Sequence, residues 1–468
     1  MPEKTTIAKR AAQFAAFTVG GGVALTFALA GSASADEVTV QDAEVTNTGA
    51  AAANSGGNVA VGNASDNTAG NDQDADGLIA SNNGTANNTS NGSASITTGQ
   101  ATATGSQATT DVDQQADSGD SGPGPDVAVQ NARVVNAGAA AANSGGNVAV
   151  GNASVNQATN DQEADGALAS NIGGANNTSD GTASITTGDA TAAGNISSTH
   201  VDQHAASGMG AGLAVVMQNS DVLNLGLAAA NSGGNLGIGN YSYNEADNDQ
   251  DADGLFASNV GGANNTSDGT ATIKTGKATA TGNASATDVD QHAATGSGAG
   301  LAVVVQNTDV LNLGVAVANS GGNLGIGNYS DNLAVNGQGA LGLIASNVGN
   351  ATNVSDGTAS ITTGDATAAG NMSSTTVGQD ADTDTAGLAV VVQNAPVGNA
   401  GLGVANTGLN AGVGNYSLNT ATLAQVSFGP LASNVSDVAN LSDGFAMLLT
   451  GTATAIGNQA ATVVEQDA

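Results

Sequence analysis

Three stretches place carboxylates at every second position: Asp72-Gln-Asp74-Ala-Asp76-Gly77, Asp161-Gln-Glu163-Ala-Asp165-Gly166 and Asp249-Gln-Asp251-Ala-Asp253-Gly254. The D-x-D-x-D-G order matches the opening of a calcium loop, in which hard oxygens converge around a glycine turn. The loop is incomplete, because Asn83 or Val260 stands at the twelfth position where a bidentate Glu belongs, and segments 336–340 and 423–427 lack acids. The competing reading is a polar turn that projects charge into solvent, and the missing ligand favours it. Asp72, Asp74, Asp76, Asp161, Glu163, Asp165, Asp249, Asp251 and Asp253 are therefore the metal candidates. No cofactor is required, and calcium is the one that the composition admits.

Other chemistry is sparse. His200, His204 and His292 do not recur in every copy and read as solvated loop residues, since zinc or general-base work needs partners at fixed geometry. No G-x-S-x-G elbow accompanies the abundant serines. Rows of Thr and a recurring Tyr (Tyr241, Tyr329, Tyr416) offer a flat face for glycan or ice, against the plainer reading of strand surface and packing. The chain thus reads as a non-enzyme.

These residues sit in a repeat. NSGGNVAVGN begins at Asn54 and Asn143, NSGGNLGIGN at Asn231 and Asn319, and NTGLNAGVGN at Asn406, with intervals of 89, 88, 88 and 87 residues. One structural unit is therefore used five times. From a strand-ending Gln (Gln41, Gln130, Gln218, Gln306, Gln393) to the motif Asn is always 13 residues, and from that Asn to a TG glycine always 45. Length varies only between the TG glycine and the next Gln, from 29 to 31 residues. A register-locked ladder forbids insertions and a loop absorbs them, so one loop per repeat lies outside a rigid lattice.

The apolar runs, such as Leu301–Gln306, suit strands buried on both faces. Residues 278–287 alternate, which predicts Ala278, Ala280, Gly282, Ala284 and Ala286 on one face and Thr279, Thr281, Asn283, Ser285 and Thr287 on the other. Each repeat divides into two halves of about 44 residues sharing N-x-G-x-A and GN-x-S. Units this short must stack. The expected fold is all-β, a β-solenoid of five repeats of about 88 residues, with about 20–22 residues per coil and a rod of about 90–100 Å.

The segment N-x-A-x3-Q occurs in every copy, as in Asn67-Ala69-Gln73 and Asn244-Ala246-Gln250, and resembles the second half of the curlin repeat. Curlins are secreted, self-stacking β-solenoid subunits of adhesive fibres, so the resemblance implies solenoid architecture and fibre formation. The first curlin half, with Q-x-G-x-x-N, is absent: Asn307 and Asn312 follow Gln306.

Bulk properties fit export. Residues 1–35 read as a signal peptide: basic Lys4, Lys9 and Arg10, an apolar run from Ala11 to Ala30, and a cleavage pattern at Ala33-Ser34-Ala35. The repeats follow at 36–125, 126–213, 214–301, 302–388 and 389–468. Removing the leader leaves Arg133, Lys274 and Lys277 as the only basic residues and takes the net charge from −34 to −36. That balance argues against nucleic acid and anionic lipid as partners. No membrane span is expected once the leader is gone. The expectation is a secreted or cell-surface structural and adhesive protein whose partners are itself and surface glycans.

Overall fold

The structure, a computed structural model, describes residues 37–117, 125–207, 212–296, 300–383 and 387–468. The leader and most of each variable-length connection lie outside them. The described chain is strand throughout, joined by short turns. The third repeat shows the plan as four legs, Leu213–Asn231, Leu236–Asp253, Phe256–Lys274 and Ala278–Thr295. In the first two repeats the middle legs run on as single strands, Val59–Thr97 and Val148–Thr186.

Every strand among the described residues pairs in parallel with its counterpart in the neighbouring repeat. Gln41 lies beside Gln130, Gln130 beside Gln218, Gln218 beside Gln306 and Gln306 beside Gln393. The chain is thus an all-β solenoid whose legs stack in three parallel sheets. One circuit of the solenoid is one whole repeat. This corrects the coil of about 20–22 residues, because hydrogen-bonded partners are 87–89 residues apart. The turn signals that suggested short coils are corners within a single layer. At about 3.3 Å per residue each leg is about 60 Å long, and five layers at about 4.8 Å rise only about 19 Å between the outermost backbones. The object is broad and thin, where a long rod was expected.

Within a layer the first leg faces the fourth and the second faces the third. Ala140 and Ala142 pack with Ala190 and Ala192 in the first pair of legs, and Ala158 packs with Ala175 in the second. The two arches meet at a waist. There the NSGG turn touches the TG turn: Ser144 Oγ donates to the Gly188 carbonyl, and Thr187 Oγ1 donates to the Ser232 carbonyl at 2.9 Å. Gly146, Gly234 and Gly322 hold φ near +76°, a conformation that a glycine adopts without Cβ strain.

Alternation breaks at the GN dipeptide. Val150 pairs with Ile238 and Asn152 with Asn240, so Gly151 drops out of the ladder, and Gly151 and Asn152 both point inward. The same slip at Gly282 overturns part of the expected facing. Asn283, Ser285 and Thr287 are buried, while Ala284 and Ala286 point outward. At these points the facing legs come within glycine distance. A Cβ on Gly239 would lie 2.3 Å from the Thr270 amide nitrogen and 2.4 Å from the Gly327 carbonyl oxygen.

The core contains few large side chains, and amides hold it together along the stacking axis. Gln218 Nε2 donates to Gln130 Oε1 at 2.9 Å and to the Gln203 carbonyl at 2.7 Å. Asn244 Nδ2 donates to Asn332 Oδ1 at 2.8 Å, repeating Asn156 to Asn244. Each buried amide thus satisfies the layer next to it, and removal takes a hydrogen bond from two partners. Gln250→Leu would orphan Gln162 Oε1, which now bonds Gln250 at 2.7 Å, and would cost Gln338 Nε2 its 2.8 Å bond, leaving it only the Val348 carbonyl at 3.3 Å. We expect a loss of about 2–4 kcal/mol from that substitution in urea unfolding. We expect Gly239→Ala to cost about 3 kcal/mol. Gly70→Ala, where a Cβ meets nothing within 4 Å, should leave the urea midpoint unchanged or raise it.

Candidate interaction surface

The outward positions of the legs form columns of side chains running up the stack. On the second leg, Asp72, Asp161 and Asp249 share one column. Asp74, Glu163 and Asp251 share the next, and Asp76, Asp165 and Asp253 the third. All nine are exposed. The sequence pattern therefore does bring them together, as a three-by-three grid on a flat sheet. The calcium-loop geometry is not there. Residues 72–76, 161–165 and 249–253 are strand, so alternate carboxylates are held about 6.6 Å apart along the leg with no turn to gather them. Among the described residues no three Asp, Glu or His side chains group as a metal site.

In-register stacking also forces like charges together, which is unfavourable for directly opposed residues. Burial, then Asp249 and Asp72, raises the Asp161 carboxyl above its ordinary range. Burial, then Asp251, raises Asp249. Asp247, half-buried beside this grid, is raised by burial and then by Asp249, Glu245 and Asp161. A second column, Asp180, Asp268 and Asp356, lies on the third leg. There burial and the neighbouring carboxylates raise Asp268. Asp180 Oδ1 and Asp268 Oδ1 are shielded without a hydrogen-bond partner.

In the fourth and fifth layers the three second-leg columns become neutral. Asp249, Asp251 and Asp253 are followed by Gly337, Gly339 and Leu341, then by Ala424, Val426 and Phe428. One side of the stack is thus acidic at its N-terminal end and apolar at its C-terminal end.

The histidines differ from expectation. They lie on fourth-leg strands, outside the loops. His200 Nδ1 is 3.4 Å from Asp288 Oδ2, and His292 Nδ1 is 3.0 Å from Asp380 Oδ2. The His204 and His292 rings are 4.7 Å apart. Each His–Asp contact joins one layer to the next, so these residues serve the stack.

The tyrosines form an exposed column. Tyr241 and Tyr329 stack at 5.0 Å between ring centroids, and Tyr329 and Tyr416 at 4.9 Å, with planes within 12° of parallel. On the fourth leg Thr102, Thr191, Thr279, Thr367 and Thr454 make an unbroken Thr column through all layers. Composition alone does not reveal which rows are unbroken. The inter-repeat register does, once a repeat is known to be a single layer.

No family model matches the chain, and neither a curated protein nor a solved structure is similar to it.

The raised carboxyls set a direction for pH dependence. A carboxyl whose pKa is higher folded than unfolded penalises the folded state fully above the raised value, and the penalty is lost as pH falls through it. Acidification from pH 7 towards the ordinary carboxylate value of about 4 should therefore raise the melting temperature. A melting temperature that falls steadily over that interval, followed by circular dichroism, would contradict the like-charge account.

Proposed function

We propose that this chain is an exported structural and adhesive protein of the cell surface or extracellular matrix, working through a repeated β surface and self-assembly. The observation that carries the reading is the register itself. Identical positions recur layer upon layer, so the molecule presents columns of like side chains. Among the described residues, the first and last layers each leave one sheet edge unpaired. Open edges are templates for further strand pairing. In this reading neither a catalytic step nor calcium is needed. The curlin-like N-x-A-x3-Q segment supports the same conclusion, since its Asn and Gln side chains are ladder residues: Asn67 donates to Asn156 at 2.8 Å, and Gln162 to Gln73 at 2.8 Å.

Electron microscopy of the exported protein at a series of concentrations tests the proposal. Filaments with a cross-β spacing of about 4.8 Å are expected. A particle that stays monomeric at high concentration would overturn the assembly part. A second reading, recognition of glycan or ice by the outward columns, is favoured by the unbroken Thr column and the stacked tyrosines. In that case Thr279→Val with Thr367→Val, and Tyr329→Ala, should abolish glycan-array binding or thermal hysteresis while leaving the fold intact.

A further inference from the structure

Resting on the self-assembly reading, we propose that the C-terminal layer is the acceptor for the N-terminal layer of a second copy, so that growth is polar and proceeds head to tail. Three observations meet at that junction. The first is register. Two buried amide columns that run from the first layer to the fifth end on matching residues, Asn67 with Asn419 and Gln73 with Gln425. A further layer continues every such column without a shift.

The second is hydrogen-bond direction. Along one ladder Asn332 Nδ2 donates to Asn419 Oδ1, while Asn67 Nδ2 donates to Asn156 Oδ1. The Asn419 amide group therefore faces outward at one end and the Asn67 carbonyl oxygen at the other, a donor against an acceptor. The Gln ladder runs in the opposite sense. Gln425 Nε2 donates to Gln338 Oε1, and Gln425 Oε1 is shielded yet accepts no hydrogen bond. The Gln73 Nε2 of an incoming copy is placed to fill that vacancy. At present its one partner is the Asn83 carbonyl at 3.4 Å.

The third is charge. The first layer carries Asp66, Asp72, Asp74 and Asp76 in outward columns that end, in the fifth layer, on Leu418, Ala424, Val426 and Phe428. Stacking first layer on first layer would oppose these carboxylates, whereas first on fifth sets all four beside neutral side chains and opposes acids at Asp113 and Glu465 on the fourth leg. A heterologous contact of this kind does not close on itself and propagates as a filament. Pro396 does not block it. Its carbonyl accepts from Val310 of the fourth layer, so the missing N–H lies on the inner side.

The test restores acid to the acceptor columns. Leu418→Asp, Val426→Asp and Phe428→Asp together copy residues that earlier layers already carry there, so folding is retained and circular dichroism checks it. The control adds the same charge in mid-stack, with Val155→Asp, Gln157→Glu and Thr159→Asp. From labelled wild-type seeds of the exported protein, elongation by the acceptor variant at pH 7 should slow at least about tenfold. Moving to about pH 4 or adding salt should restore it. The control should elongate within about twofold of wild type. Equal elongation by wild type and acceptor variant overturns the polarity. A wild type that forms no filaments under any condition removes the self-assembly reading beneath it.

Discussion

The structure depends on one constraint: each residue must be compatible with a near-copy of itself about 4.8 Å above and below. Amides meet it best. An Asn or Gln side chain carries a donor and an acceptor, so it can bond the layer on either side, and a column of them leaves unpaired groups only at its ends. That is why Gln130, Gln218 and Gln306 can be fully buried in a protein with so few large apolar side chains. Alanine meets the constraint by being small. The facing legs close on Ala–Ala and Gly–Gly contacts, and the amide columns between them supply the specificity that a bulky core supplies elsewhere.

Charge meets the constraint worst. A carboxylate stacked on a carboxylate is least costly at the surface, and the second-leg Asp columns lie there. Their upward-shifted titration follows from the geometry that makes the amide columns favourable. The replacement of acid by apolar residues towards the C-terminal layer relieves this repulsion locally.

Much of the architecture was legible in the sequence. The repeat, the gapless span from Gln218 to Gly276 and the indel-bearing connections imply a register-locked solenoid, and the strands stack accordingly. Coil length was not legible. Corners and circuit closures use the same Gly, Asn and Ser chemistry, so turn spacing alone does not say how many turns complete a layer. The facing of Asn283 and Ser285 was hidden for a related reason: one glycine that leaves the ladder inverts every residue after it. The acid pattern was seen and its setting missed, because D-x-D-x-D reads alike in a loop and in a strand. Asp249 and Asp251 share a face only because the backbone there is extended.

A circuit of 87–89 residues has a kinetic consequence. Asn47 finds its backbone neighbours only when the polypeptide has travelled a full lap, so the first turn is rewarded by side-chain contacts between its facing legs and by no backbone ladder. Closing such a long loop is entropically uphill, and topologies dominated by distant partners fold slowly. Once two laps are joined, each later lap meets a ready-made template and zips onto it. Nucleation is thus the slow event and extension the fast one. A nascent chain can therefore remain unstructured for a long interval before it commits.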